Sequence, residues 1–522
     1  MLETCYETLL KNVDKQGFLV YYGIKIPMRK FLRDIEGFAA SLAALHLNKG
    51  DVVTVYLPTC PQSLAAFYAC SKLGLVANFV HPLIPLQLLK QNVQKVHSKV
   101  LLFYDALLRD EKPLQQLHQI LVRCSVADYV GALKPFFALY AAAGAKRQKS
   151  MLTYSQMRKN TATTAILGNG ADVVCYMHSG GTSGEPKIVK LSNNAFNGTA
   201  HAISSMYRSR VQKGEYNLAT LPIFHAYGLC AAMHTPLCIG CSLILVPKFR
   251  PKTVKAYLGK YNVTIWAVVP AMLLKMEKAK CLDSKRLKHL DVIWCGGDVL
   301  DEKTVEKTDE ILAKYCKRAQ LMRGYGLTEV CGVCAVNNYN HYRKGSCGQP
   351  MPTCFAQILD DDGNPLPAGE IGEIAINSPG NMDGYLEGQD CIVAKQGKRW
   401  VTTGDLGYLD EDGFLFVVDR KKRSLKIAAV NVFPSQVENC VKQLPFVEEA
   451  CAVGVKVDGK QYVKVYVTLA TPTDSQTVKA EVVKICRENL IPYSVPQFVE
   501  VLSAMPRTPM GKIDFKSLEN KN

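Results

Sequence analysis

No run of 18 or more apolar residues occurs in the 522-residue sequence, so no segment is expected to cross a bilayer as a helix. The start, Met1-Leu-Glu-Thr-Cys-Tyr-Glu-Thr8, has neither a basic stretch nor a continuous apolar one, and no secretory signal is expected there. Tandem repeats and low-complexity segments are also missing. The 19 cysteines are scattered, many of them in apolar stretches such as those around Cys70, Cys175 and Cys230. That excludes a small disulfide scaffold and predicts reduced thiols in a cytoplasmic protein. Cys238-Ile-Gly-Cys241 and Cys331-Gly-Val-Cys334 have zinc-like spacing, but they lie far apart and neither has a close partner pair, so no zinc site is expected. Negative charge is in short supply: 46 acidic residues face 63 basic ones, a formal charge of +17. Such an excess suits nucleic acid, an anionic membrane or a phosphorylated small ligand. With no RNP-type aromatic motif, no zinc-finger spacing and no long basic tail, nucleic acid is the weakest of the three.

What is present is ordinary globular composition, 48% hydrophobic and 21% charged, in a chain long enough for more than one core. Short β-branched runs, Val52–Leu57, Val100–Tyr104 and Val173–Tyr176, alternate with helix-like stretches. The segment Pro61 to Gly74 opens on proline and closes on glycine, as a helix between two strands should. Alternation of this kind predicts a large N-terminal α/β domain with largely parallel strands. Over 355–418 the turn signals Asp361-Asp-Gly363 and Asp412-Gly413 separate short strands, which predicts hairpins or a small β-barrel-like part. A basic cluster, Asp419-Arg-Lys-Lys-Arg423, precedes alternating segments such as Tyr462–Thr468 and a helix-like 476–490. These read as a small α+β C-terminal domain behind a short charged connector, which by itself also suits a solvated loop.

Chemistry concentrates in four places. His178-Ser-Gly-Gly-Thr-Ser-Gly-Glu-Pro-Lys187 follows a predicted strand. Its glycines let backbone N–H groups face inward around an anion, its hydroxyls add donors and Lys187 adds a mobile positive charge. It is not a Walker A loop, since no Gly-Lys-Ser/Thr follows at the required spacing, and the glycines alone would equally suit a surface turn. In Gly324-Tyr-Gly-Leu-Thr-Glu329, Glu329 offers a hard oxygen to magnesium, Tyr325 a flat face for a base, and Thr328 a hydroxyl for a phosphate. Thr402-Thr-Gly-Asp-Leu-Gly407 supplies Asp405, able to accept from a ribose diol or simply to cap a turn. Pro506-Arg-Thr-Pro-Met-Gly-Lys-Ile-Asp514 carries Lys512 on a glycine-containing loop.

In this order, and with Lys49-Gly-Asp-Val-Val-Thr-Val-Tyr-Leu-Pro58, Leu221-Pro-Ile-Phe-His-Ala-Tyr-Gly228, Trp294-Cys-Gly-Gly-Asp298 and Gly511-Lys512, the blocks resemble the adenylate-forming superfamily of acyl-CoA synthetases, luciferases and peptide-synthetase adenylation domains. The resemblance covers nearly the whole chain. It implies an ATP-dependent acid–thiol ligase, an AMP-forming acyl-CoA synthetase: a carboxylate attacks the α-phosphate of ATP, and the thiol of coenzyme A then displaces AMP. By the same resemblance Lys512 bridges the carboxylate and the α-phosphate, Thr328 contacts the phosphate, and Glu329 holds Mg2+. The cradle of Ser179, Gly180, Gly181, Thr182, Ser183, Gly184 and Lys187 takes the β- and γ-phosphates. Gly296, Gly297, Tyr325 and Gly326 line the adenine, Asp405 and Arg420 take the ribose, and His225 stands at the mouth of the acyl pocket. Residues 1–418 would be the adenylation domain, 419–423 a hinge turning at Arg423, and 424–522 a mobile C-terminal domain.

The fit has two departures. Gly180 stands where the family usually has serine, and Ala428 and Ala429, after Lys426, replace small or glycine residues of a loop that approaches the pantetheine arm. A Cβ there consumes space, so adenylation is the firmer half of the expectation. Three acceptors and roles stay open: coenzyme A with a hydrophobic, fatty-acid-like substrate, a carrier-protein thiol, and a non-catalytic nucleotide-binding homologue. The apolar-then-basic segment 132–149 suits either a helix packed on its own domain or peripheral membrane contact.

Overall fold

The computed structural model describes residues 3–107, 112–115, 117, 119–130, 151–179, 187–207, 214–282, 285–300, 302–316, 319–388, 391–395, 397–427, 430–457, 460–508 and 513–521. The segment 132–149, residues 180–184 of the glycine-rich loop, 428–429 and Lys512 lie outside them. The chain divides into two compact units, the first drawn from Met1–Ser179, Pro186–Phe355 and Ile376–Val401, the second from Ala356–Ala375 and Thr402–Asn522.

The first unit is the expected α/β structure. Seven described strands form one sheet in the order Leu152–Thr153, Ile120–Cys124, Val100–Tyr104, Val52–Tyr56, Val76–Phe79, Val173–His178 and Ile188–Ser192. Its central strands are parallel and buried on both faces, which is why they read as continuous β-branched runs. A second sheet of nine described strands has Tyr216–Ala219, Val263–Val268, Val292–Cys295 and Gln320–Tyr325 as consecutive neighbours. Helix Pro61–Leu73 begins at its proline and ends at Gly74, whose φ of 69° no residue with a Cβ adopts as cheaply. Every residue of that helix is buried, because it is covered all round within a core that also holds Val53, Leu243 and Leu245 from the two sheets.

One helix departs from regular geometry. Tyr227–His234 winds in wide π turns and continues as Thr235–Cys238. Pro236 has no N–H for the carbonyl four residues back, and that carbonyl, of Ala232, accepts from Asn217 Nδ2 at 2.6 Å instead. At the end of the wide turns His234 is fully buried among Phe67, Tyr68 and Phe196, with ring nitrogens 3.1 Å from the Tyr68 hydroxyl and 3.1 Å from Asn197 Oδ1. Burial pushes this imidazole down to about 3. Unfolded chains bind a proton here below about pH 6.5 and the native protein does not until about pH 3, so stability is lost as pH falls between those values. The slope from this one group is about 1.4 kcal/mol per pH unit. Urea unfolding at pH 7 and pH 5 should therefore show a smaller acid loss for His234→Gln than for the wild type. An equal loss in both proteins contradicts the assignment.

In the second region of β structure, antiparallel strands between Phe355 and Arg420 form the half-barrel expected from the turn signals. Gly363 and Gly413 take φ of +80° and +77° at the turns, and Asp360 and Asp410 side chains accept from the backbone N–H groups inside them. Downstream, strands Val447–Val457, Lys460–Leu469 and Phe498–Val501 make a sheet under helices Pro434–Val441 and Ser475–Asn489. Val463, Val465 and Val467 face those helices, while Tyr466 faces Phe515 and Leu518 on the other side. The period-2 pattern of this strand thus sets Val463, Val465, Val467 and Leu469 on one face and Tyr462, Lys464, Tyr466 and Thr468 on the other.

Candidate active site

The glycine-rich loop hangs on a hairpin. Strands Val173–His178 and Ile188–Ser192 pair antiparallel, and Ser179 N donates to Lys187 O at 2.9 Å, so the two ends of the loop are fixed side by side. Beneath its first end, His178 Nε2 lies 3.2 Å from Asn78 Oδ1 and 3.4 Å from Asn92 Nδ2. Burial first, and then the charge of Lys95, push His178 down to about 4, so it is neutral at pH 7.

Strands Val292–Cys295 and Gln320–Tyr325 run parallel and adjacent, with Cys295 opposite Arg323. Their carboxyl ends therefore present Gly296–Gly297 and Tyr325–Gly326 next to one another, at the edge where open α/β sheets bind ligands. The backbone is tightly threaded here. A Cβ on Gly326 would stand 2.2 Å from Gly332 O, and one on Gly332 would stand 2.8 Å from Tyr227 N. The close approach of Gly332 to Tyr227 brings the wide-turn helix against the loop that follows Glu329. Ahead of that helix, His225 packs on Phe224 with ring centroids 5.0 Å apart, and the Phe224 ring meets His81 edge-on at 4.6 Å. Tyr227 reaches back to donate to Trp294 O at 3.1 Å.

Thr328–Val330 forms a single tight turn closed by Cys331 at φ 58°. Glu329 is only 9% exposed, a costly position for a carboxylate without a compensating donor or cation. The compensation comes from Tyr385, whose hydroxyl donates to Glu329 Oε1 at 2.9 Å. The same ring lies under Lys187, whose Nζ stands 4.1 Å from the ring centroid. Tyr385 is held in place because its segment continues the sheet: Lys190 N donates to Gly384 O, Asp383 N to Lys190 O and Leu386 N to Ile188 O, while Met382 N donates to Glu329 O. Lys187 and Glu329, 142 positions apart in the sequence, thus meet through one aromatic side chain.

In the second unit, Asp405 and Arg420 are register partners on antiparallel strands, and Arg420 Nε donates to Asp405 Oδ1 at 2.6 Å. Arg423 is tied by Nη2 to Glu438 Oε1 at 2.5 Å and to Ala452 O at 3.3 Å, and its guanidinium lies 4.9 Å from the Phe515 ring. Lys426 is exposed on the hairpin Leu425–Ile427/Val430–Val432. Arg507 and Ile513 pair across the segment that contains Lys512.

Glu329 supplies a single hard carboxylate of the kind magnesium takes, since that ion is commonly held by one or two carboxylates together with substrate phosphates. The AMP-binding enzyme family matches residues 11–386, and the C-terminal domain of AMP-binding enzymes matches 436–512. The chain belongs to the AMP-binding enzyme family. The resemblance to AMP-forming acyl-CoA synthetases read from the sequence is borne out, with its α/β class and its use of ATP. Among members of the family, the long-chain-fatty-acid–CoA ligase of Bacillus subtilis (strain 168) is 28% identical over 513 residues, covering 94% of this chain and 89% of its own. The probable 4-coumarate–CoA ligase 3 of Dictyostelium discoideum is 26% identical over 509 residues, covering 94% and 89%. In fold, the chain resembles ATP-bound MatB from Rhodopseudomonas palustris with a TM-score of 0.83 at 21% identity, over 100% of this chain and 99% of that one. No helix among the described residues is long and apolar enough to cross a membrane.

Several expected site residues are thus brought together: Lys187 with Glu329, Gly296–Gly297 with Tyr325–Gly326 at adjacent strand ends, and Asp405 with Arg420. Sequence reasoning missed Tyr385. It is one tyrosine among 24, and neither its charge nor its spacing distinguishes it from a core aromatic.

Proposed function

We propose that the protein activates a hydrophobic carboxylic acid, a fatty acid foremost, as acyl-AMP and passes the acyl group to coenzyme A. The observation that carries this reading is the buried Glu329 carboxylate, fixed by Tyr385 beside Lys187 at the carboxyl ends of a parallel sheet. Support for an apolar acid comes from relatives named for long-chain fatty acids and for 4-coumarate, both of which present a carboxylate on an apolar body.

In the first step a carboxylate oxygen attacks the α-phosphorus of ATP, the α–β bridging bond breaks, and pyrophosphate leaves with the electron pair. Two anions must approach, so fixed positive charge and donors at the meeting point lower the barrier. Lys187 takes β- and γ-phosphate charge together with Ser179, Gly180, Gly181, Thr182, Ser183 and Gly184. Thr328 donates to the α-phosphate, and Lys512 bridges it to the carboxylate. Magnesium held through Glu329 and the phosphates would offset charge on the leaving pyrophosphate. Gly296, Gly297 and Gly326 leave room for the adenine beside Tyr325, Asp405 accepts from the ribose with Arg420 setting its orientation, and His225 guards the acyl entrance. In the second step the coenzyme A thiolate attacks the acyl carbon and AMP departs. Residues 1–418 act as the adenylation domain, with 424–522 turning about Arg423 between steps and presenting Lys426, Ala428 and Ala429 to the pantetheine arm.

The experiment is a panel of acids from acetate to oleate, with aryl acids such as 4-coumarate, assayed with coenzyme A and separately with a phosphopantetheinyl carrier protein. Thioester formation on coenzyme A, rising with apolar length, is expected. Transfer only to the carrier protein, or preference for short polar acids, contradicts the reading.

A further inference from the structure

Tyr385 belongs to no part of the chemistry derived above, yet it touches two of its charged groups. Its hydroxyl donates to Glu329 Oε1 at 2.9 Å, and its ring supports Lys187 Nζ at 4.1 Å. We propose that Tyr385 is a positioning residue that commits one oxygen of Glu329 to itself and leaves the other aimed at the metal, while its ring face holds Lys187 in readiness for phosphate. This rests on the reading of Glu329 as the magnesium-binding carboxylate.

Three observations carry the inference. A carboxylate buried to this degree needs a fixed partner to keep one rotamer, and among the described residues Tyr385 is the hydrogen-bond partner of its side chain. The Tyr385 hydroxyl carries one proton, and the geometry gives it to Glu329 Oε1. With that single proton on the carboxylate, the Cys391 sulfur, 3.4 Å from the hydroxyl oxygen, is left to donate to it, which fixes the hydroxyl from its other side.

The ring contributes separately. A cation over an aromatic face is attracted by the ring quadrupole without being neutralised. Lys187 is therefore held against the ring whose hydroxyl reaches Glu329. Because Tyr385 sits on a segment hydrogen-bonded to both Lys190 and Ile188, the ring cannot drift from the hairpin that carries Lys187. The design resembles the outer-shell partners of metal ligands, whose loss typically costs about 10–100-fold in metal affinity or activity.

The test measures ATP binding by calorimetry across a magnesium titration, with no acid present, for wild type, Tyr385→Phe, Tyr385→Leu and Glu329→Gln. Tyr385→Phe keeps the ring and removes the hydroxyl, so the magnesium midpoint should rise by about 10-fold or more while magnesium-free ATP binding stays near wild type. Tyr385→Leu should in addition weaken magnesium-free ATP binding, since the support under Lys187 is lost. Adding Tyr385→Phe to Glu329→Gln should cost little more than Glu329→Gln alone, because the hydroxyl acts through that carboxylate. An unchanged midpoint in Tyr385→Phe, or fully additive losses in the double variant, overturns the role of Tyr385 and leaves the site reading standing. A wild type whose ATP binding ignores magnesium overturns the site reading itself. Thermal midpoints of the variants within the wild-type range accompany the titration, and a loss of binding that tracks a loss of folding in Tyr385→Phe counts against positioning.

Discussion

Lys512→Ala is expected to lower carboxylate-dependent pyrophosphate exchange by roughly 10²–10³-fold while leaving thioester formation from supplied acyl-AMP largely intact. The magnitude is that of removing one preorganised donor from a site where charge develops in the transition state. The asymmetry between half-reactions follows from where charge gathers. Adenylation brings a carboxylate against a phosphate, and a lysine between them offsets the repulsion. The thioester step has a neutral acyl carbon as its target, and the group that leaves, AMP, carries its charge away from the new bond. Arg507 and Ile513, on either side of the segment that carries Lys512 in the sequence, pair with one another as an antiparallel bridge. Equal loss in both half-reactions would remove Lys512 from the bridging role.

Glu329→Gln should raise the magnesium requirement of pyrophosphate exchange by about 100-fold, the upper end of what loss of metal-site partners costs. Glutamine keeps the shape of the side chain, and its carbonyl oxygen can still accept from the Tyr385 hydroxyl, so the tight turn Thr328–Val330 should survive. What is lost is a unit of negative charge in a buried place, where charge is weighted more heavily than at the surface. Titrating magnesium at saturating ATP separates this from a folding defect, because excess metal should recover much of the rate. Loss that no magnesium concentration recovers would place the role of Glu329 in the framework rather than at the metal.

Much of the fold was legible because its signals are local. Pro61 and Gly74 bracket a helix for reasons of φ and missing N–H groups, and Gly363 and Gly413 mark turns that demand left-handed backbone. Runs such as Val52–Tyr56 read as central parallel strands because both faces are covered. The wide turns of Tyr227–His234 were not legible, since they depend on Asn217 reaching the Ala232 carbonyl from another strand. The site shows the same division. Glycines and hydroxyls announce a phosphate cradle by composition, and Asp405 with Arg420 could be paired by family order before the register showed them opposite one another. Tyr385 could not be found that way. Its importance comes from contacts with Glu329 and Lys187, residues 56 and 198 positions away, and long-range contacts leave no mark on a single aromatic residue. The connector 419–423 is similar: as sequence it is a charge run, while in the structure Arg423 is committed to Glu438 and Ala452 rather than to solvent.

The proposed function gives the charge excess a chemical use: ATP, pyrophosphate and coenzyme A are polyanions, and in that proposal Lys187, Arg420 and Lys426 are among the cations that meet them.

The most direct measurement of the central claim is carboxylate-dependent exchange of labelled pyrophosphate into ATP. The account predicts exchange that requires magnesium, rises when an apolar acid is added and falls in Glu329→Gln. Absence of acid-dependent exchange across the whole panel, in protein that binds ATP, would contradict it.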